Sequence, residues 1–449
     1  MTAPLTPPSP PVAARRPSPP VKGGLRNLIL APAVKAPQHA GFWLLALFLF
    51  HSSSRLFEFY LEGYRLPLII ALGCFACLLI TGQLFRGPAS PIGLSLMLYS
   101  GFLVLSVPGS IWRGGSVGLL TGQWVKSLAA FVIAAGLVCS AQDTAKAIRV
   151  QAYAYLFAAL YIIQFGVQEQ GRLTAPLGIY SGANELGAAM VLGCVYWSFI
   201  AQSPRHSPLF RVLAVIAITP LLYVMIRTGS RAAIGALLVM LPFLFLFYSG
   251  QGRAAFLVLA LVLGIGFVAA TPIAVRSRLT TLFSPSGEVS SEEEVERAIS
   301  ASNSSRQRLH LLLASLRVTA ENPLFGVGIG NFEVAENEIA QATGRPRGAW
   351  HGTHNTYTQI SSEAGIPALL AFLACLWLAR KELLGIEMKH SARADIDSRT
   401  VATTAFALRM ALYSTAVFIC FEHIAYNASI PLFLGVVVGF SRAARASRG

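Results

Sequence analysis

Charge is what this sequence has least of. Only 12% of its 449 residues are Asp, Glu, Lys or Arg, about half the roughly 25% of a soluble globular chain. Acids are scarcer than bases, 20 against 35, so the formal charge is +15. Polar stretches that would cover a water-facing domain are missing from most of the length, which argues against a soluble fold. Basic tracts with interleaved aromatics are missing too, which removes nucleic acid as the partner of the positive charge. Alternating segments of about ten residues are absent, which removes a transmembrane β-barrel. Cysteines are few and badly placed for chemistry. Cys74, Cys77, Cys139, Cys194, Cys375 and Cys420 all lie in apolar runs, where they read as small buried hydrophobes and not as a disulfide frame or metal cage.

What is present is apolar surface. Hydrophobic residues make up 54% of the chain, and runs of about 18 residues or more recur along it, the mark of membrane-crossing helices. The expected fold is an all-α polytopic membrane protein with about 12 transmembrane helices and one large extracytoplasmic loop containing short helices. Residues 1–40 form a Pro-rich tail, predicted disordered and cytoplasmic, with no signal-peptide pattern. Residues 41–271 should hold helices one to nine, near 41–58, 66–84, 91–112, 117–140, 147–167, 184–202, 209–227, 231–249 and 253–271. Residues 272–352 form the large extracytoplasmic loop. Residues 353–442 hold the last three helices, near 355–379, 401–424 and 427–442, and 443–449 form a cytoplasmic tail. Basic residues gather in alternate connections, among them Arg86, Lys146, Arg149, Arg205, Arg211, Arg380 and Lys381. That bias puts both termini inside and the long loop outside.

The loop has its own pattern. Ser291 to Glu294 fits a capping box opening a short helix. Leu309, Leu312, Leu313 and Leu316 recur at helical spacing and predict an amphipathic helix over 304–319, ended by Asn322-Pro323. Gly326, Gly328 and Gly330 follow a helix and not a strand, so they read as a turn and not a nucleotide loop.

Two polar knots interrupt the apolar runs. One is Arg227-Thr-Gly-Ser-Arg231; the other is Trp350 to Ala368. A guanidinium at membrane depth needs a partner. Arg227 and Arg231 either snorkel to headgroups or, with free amides near a helix start, hold a phosphate or diphosphate. Arg306 and Arg308 are a solvated face or a second clamp on the same anion. His351 and His354 are one turn apart, but no third metal ligand lies in sequence reach, so metal is not expected. His354 suits a general base, because its ordinary pKa lies near neutral; an ordinary interfacial histidine is the plainer alternative. Glu185 either orients a sugar hydroxyl or merely complements a helix start, with Asn184 as a cap. Lys126 and Arg409 fall inside spans and call for partners. Glu422 and His423 sit at an outer helix end and add to the same surface.

Three stretches resemble the O-antigen ligase and polymerase superfamily of integral-membrane proteins. Thr228-Gly-Ser-Arg231-Ala-Ala resembles its TGSR helix start. Arg308 to Leu316, with Asn322-Pro-Leu-Phe-Gly-Val-Gly-Ile-Gly-Asn331-Phe, resembles its loop helix and turn. His354-Asn355, followed by Gly365-Ile-Pro-Ala, resembles the ligase histidine motif. Leu312 stands where an aromatic is common. The resemblance implies a glycan donor on undecaprenyl diphosphate and an acceptor hydroxyl, from lipid A–core in a ligase or from a second lipid-linked glycan in a polymerase. It implies His354 and Arg231 as catalytic, Arg231, Arg308 and Arg227 on the donor diphosphate, and Asn355, Tyr357, Glu185 and His351 orienting sugars or acceptor. No cofactor, metal or ATP is expected. Membrane lipids and the polysaccharide export machinery are the expected partners, and the location is the bacterial inner membrane with the site at its periplasmic face. The reading from another class is a transporter, which should carry its polar groups near the bilayer midplane.

Overall fold

The structure is a computed structural model and describes residues 35–55, 65–169, 171–203, 205–247, 253, 292–393 and 395–446. The expected tail up to residue 34, nearly all of the ninth expected span, the first part of the loop with the Ser291 cap, and residues 447–449 lie outside the described residues.

The structure is mostly helical, 77% helix against 2% strand. Six are long and apolar enough to cross a membrane: α4 (Arg113–Leu137), α5 (Ala141–Phe165), α6 (Ala183–Gln202), α7 (Pro208–Arg227), α13 (Ile396–Phe418) and α14 (Ser429–Ala446). Three are apolar but shorter: α2 (Leu66–Thr81), α3 (Pro91–Ser106) and α8 (Arg231–Phe247). The first helix, α1, spans Lys35–Ser54. Starts follow local chemistry. Pro91 opens α3 behind a Ser90 cap, and Ser140 caps α5 through the Asp143 N–H, each supplying an acceptor to an otherwise orphaned donor.

Burial sorts these helices into layers. The apolar stretches of α6 and α13 are each 72% buried, against 28% for α7, so α6 and α13 form the centre and α7 faces outward. Arg409 of α13 finds the partner that its position demands: Nε and Nη2 donate to the two oxygens of Glu387 at 2.8 and 2.9 Å. Lys126 is instead exposed on α4. A hairpin, β1 (Val167–Glu169) paired antiparallel with β2 (Arg172–Thr174), bridges α5 and α6.

The loop departs from expectation in two ways. The two predicted helices are one, α9 (Glu292–Glu321), because no Gly or Pro interrupts that stretch. It ends just before Asn322-Pro323, as expected. Its buried face is also a different one. Leu311, Ala314 and Val318 pack with Val327, Phe332 and Ala335 in a small second core. Of the leucines that marked the amphipathic helix, Leu309, Leu313 and Leu316 are about half exposed (57%, 58% and 49%) and Leu312 is partly buried. The helix is apolar on two sides, and spacing alone does not say which side finds a partner. Helix α10 (Phe332–Ala342) completes this unit.

The expected span 355–379 is not one helix. It breaks into α11 (Thr356–Ala364) and α12 (Ile366–Ser391) at Gly365, whose φ is +89°. A Cβ at Gly365 would sit 2.2 Å from the Leu324 carbonyl oxygen, so only glycine allows this approach.

Candidate active site

The break at Gly365 matters because α11 is the frame of the histidine segment. Asn355 caps α11, its Oδ1 accepting from the Tyr357 and Thr358 N–H groups at 2.9 and 3.1 Å. Thr356 then stitches α11 to the connection between α13 and α14. Its N–H donates to the Ile419 carbonyl, its hydroxyl donates to the Glu422 carbonyl at 2.6 Å, and the same hydroxyl accepts from the Ile424 N–H. The Gln359 side chain accepts from the Ala425 N–H. Glu363 holds the other end: its carboxyl accepts from Gly330 N–H, Phe332 N–H and the Tyr426 hydroxyl at 2.9, 3.2 and 2.6 Å. The glycine turn, α11 and the far connection are thereby one rigid piece.

That piece brings His354 against Glu422 and His423. The rings of His354 and His423 stand edge to face with centroids 5.0 Å apart. One donor atom from each of His354, Glu422 and His423 falls within a set spanning no more than 4.8 Å. The Nδ1 atoms of both histidines are buried and make no hydrogen bond among the described residues. His354 carries a left-handed backbone, φ 49°, which is uncommon outside glycine and concentrates at functional sites. A Cβ at Gly352 would lie 2.4 Å from the His423 ring, so this glycine lets the ring lie against the backbone beside His354.

A second network ties the same cluster to the upstream arginine knot. The Asn184 Nδ2 donates to Glu422 Oε1 at 2.6 Å. The Asn184 Oδ1 accepts from Arg172 Nη2 at 2.8 Å and from the Ser230 hydroxyl at 3.0 Å. Arg172 Nε donates to the Thr228 carbonyl at 2.7 Å. Asn184 therefore spans the cluster and the Thr228–Ser230 turn, and the capping role expected of it falls to Gly182. Arg231 is the next residue and the first of α8.

Charge follows this geometry. Burial first, then the positive fields of His423, Arg308 and His351, push the His354 imidazole down to about 4. Burial also lowers His423, against the pull of Glu185 and Glu333. Burial and then the like charge of Glu185 push the Glu422 carboxyl up to about 7, against the Asn184 hydrogen bond and the fields of Arg308 and Arg172. These are the three causes of a shifted pKa acting in one small volume.

The expected residues divide accordingly. Arg308, half-buried on α9, acts on both His354 and Glu422, and Glu185 acts on Glu422 and His423. His351 is exposed, its ring 6.3 Å from that of His354. Arg227 stacks on Tyr223 of its own helix, 5.9 Å from the ring, and no contact described above joins it to the cluster. Asn355 spends its oxygen on the α11 cap, and Tyr357 donates to the Ala416 carbonyl at 3.0 Å. Arg172 joins the site although nothing in the sequence pattern assigns it there. It lies in a short polar connection before Asn184, which spacing cannot link to Thr228.

The loop unit has a separate anchor. Glu336 is buried and accepts from His310 and Arg345 at 3.0 and 2.9 Å and from the Ala349 N–H. Burial would raise its carboxyl, but these donors outweigh it and hold the group below the usual range. They fix the approach to Trp350 and, through it, to His354.

No curated protein matches the chain. A family model does: residues 212–373 match the family described as O-Antigen ligase. The matched stretch contains Arg231, Arg308 and His354 and stops short of Glu422 and His423. Over that stretch, which holds Arg231, Arg308 and His354, the chain is similar to the O-antigen ligase family.

Proposed function

We propose that this chain is a membrane glycosyltransferase of surface-polysaccharide assembly. It moves a glycan from undecaprenyl diphosphate to an acceptor hydroxyl at the periplasmic face of the inner membrane, with lipid A–core as the acceptor. The observation that carries this reading is the His354–Glu422–His423 cluster, faced by Arg308 and tied through Asn184 to the segment that ends in Arg231. Arg231 and Arg308 hold the diphosphate and stabilise its charge as the bond to the sugar breaks. His354, neutral near pH 7, takes the proton of the attacking hydroxyl. Diphosphate is already a good leaving group, so the chemistry asks for no nucleotide. A cation at the cluster would face the guanidinium of Arg308, and Glu422 already gives one oxygen to Asn184; both favour proton transfer over metal chemistry. The polar groups lie at helix ends: Asn184 in the first turn of α6, Arg231 opening α8, and Glu422 between α13 and α14. That placement supports surface chemistry over transport.

Glycan analysis of a deletion strain tests the reading. Wild type should restore polymer, whereas Arg231→Ala, Arg308→Ala and His354→Ala should not. Accumulated lipid-linked polymer identifies a ligase, and single lipid-linked repeats identify a polymerase. Full polymer from Arg231→Ala and His354→Ala together would sink the site assignment.

A further inference from the structure

Glu422 is the one carboxyl of the cluster with an oxygen to spare. Its Oε1 accepts from Asn184, and Oε2 accepts no hydrogen bond among the described residues. The side chain is almost wholly buried, with 3% of the residue exposed. Asn184 has little freedom to rotate away, because its own oxygen is held by Arg172 and Ser230. Its Nδ2 therefore stays aimed at Glu422. The charged groups that face Glu422 come from every side: Glu185 on α6, Arg172 on β2, Arg308 on α9, and the two histidines of the cluster. A buried carboxyl gripped by one oxygen and left open at the other, beside a histidine, has the arrangement of a charge partner and not of a packing residue.

We propose that Glu422 is the positioning residue of His354, a carboxylate that offsets the imidazolium formed when His354 takes the acceptor's proton. This rests on the transfer reaction proposed above. In that step the acceptor O–H bond breaks and its oxygen bonds to the first sugar carbon. The bond from that carbon to the diphosphate oxygen breaks, its electron pair leaving with the diphosphate. The proton ends on His354, and the Glu422 carboxylate supplies the negative charge that the surrounding Arg308 and His423 do not. Alone in that field, a buried imidazole is a weak base. Paired with a carboxylate, it accepts a proton at less cost.

The test is the rate of glycan transfer by the purified full chain in proteoliposomes, with a lipid-diphosphate glycan as donor, between about pH 5 and 9. The wild-type rate should fall as pH falls through about 7, where Glu422 takes up a proton. Glu422→Gln keeps the volume and the oxygen that accepts from Asn184. It should lower kcat on the order of 10²-fold, leave the donor KM unchanged, and abolish the fall near neutrality. Glu185→Gln removes the like charge and should move that fall to lower pH. A purely structural role predicts something else: a slower Glu422→Gln whose pH profile keeps its shape. That result, or full kcat in Glu422→Gln, or an unmoved profile in Glu185→Gln, overturns the proposal. If Glu422→Gln fails to fold, Glu185→Gln still decides. Wild-type protein that forms no glycosidic product would instead remove the transfer reaction itself.

Discussion

Replacing Glu363 by Leu tests whether the site is built as one rigid piece. The Glu363 carboxyl accepts three hydrogen bonds, from the backbone N–H groups of Gly330 and Phe332 and from the Tyr426 hydroxyl. Glu363 and Tyr426 are both buried, so water cannot easily replace the lost acceptor. Each donor left without a partner in such a setting costs about 1–3 kcal/mol. Three of them, with partial relaxation of the turn, come to about 3–6 kcal/mol, a large part of the roughly 5–15 kcal/mol that keeps a domain folded. Tyr426→Phe removes a donor and orphans only one lone pair of a carboxyl that keeps two other bonds, so it should cost about 1 kcal/mol. Thermal unfolding in detergent, followed by intrinsic fluorescence, should therefore rank wild type, Tyr426→Phe and Glu363→Leu in that order of decreasing stability. Equal unfolding temperatures for Glu363→Leu and wild type would refute the reasoning. So would a Tyr426→Phe change as large as that of Glu363→Leu.

Three further outcomes follow from the same geometry. His354 is held neutral, with a folded pKa of about 4 against an ordinary 6.5. Its contribution to stability is complete above 6.5 and is lost as pH falls toward 4, because the unfolded chain binds that proton first; chemical denaturation across this window should show a smaller acid loss in His354→Gln. Gly352→Ala places a methyl 2.4 Å from the His423 ring. Displacing that ring by about 1 Å should cost about 10²-fold in kcat with expression retained, and an unchanged kcat would count against a working cluster. Chelation with EDTA should leave the transfer rate unchanged; a rate restored only by added divalent cation would reassign His354, Glu422 and His423 as ligands.

Much of this architecture was legible in the residues, and what was not has a physical cause. Apolar runs located the helices, because bilayer thickness imposes a minimum length on an apolar segment. They did not reveal the break inside 355–379: Gly365-Ile-Pro marks where the polar motif gives way to a membrane helix, but the close approach of Leu324 that requires glycine there comes from far upstream. Which face of α9 is packed is hidden for a related reason. Periodicity finds an apolar stripe, but Leu309, Leu313 and Leu316 compete with Leu311, Ala314 and Val318, and only the partner surface decides. His354, Arg231 and Arg308 stood out because charge is rare here and its placement costly. Asn184 and Arg172 did not, since a neutral amide and a connecting-loop arginine are ordinary until Glu422, 238 positions along from Asn184, is brought beside them.

That long separation bears on how the site tolerates change. The matched stretch, 212–373, carries Arg231, Arg308, His351 and His354, yet His423, which acts on His354, and the groups that act on Glu422 from α6 come from outside it. Asn184 and Glu185 arrive on α6, Glu422 and His423 between α13 and α14. Of the six long helices, α6 and α13 are the most buried, so their ends are held firmly. Under the proposed function, fixed groups stand at those ends while Arg308, proposed to hold the anion, stands on α9 with its own small core, which separates two demands. Proton transfer needs fixed distances of a few ångströms, whereas a bulky lipid-linked glycan needs room to enter. A rigid bundle end and a separately packed unit carrying Arg308 would meet both.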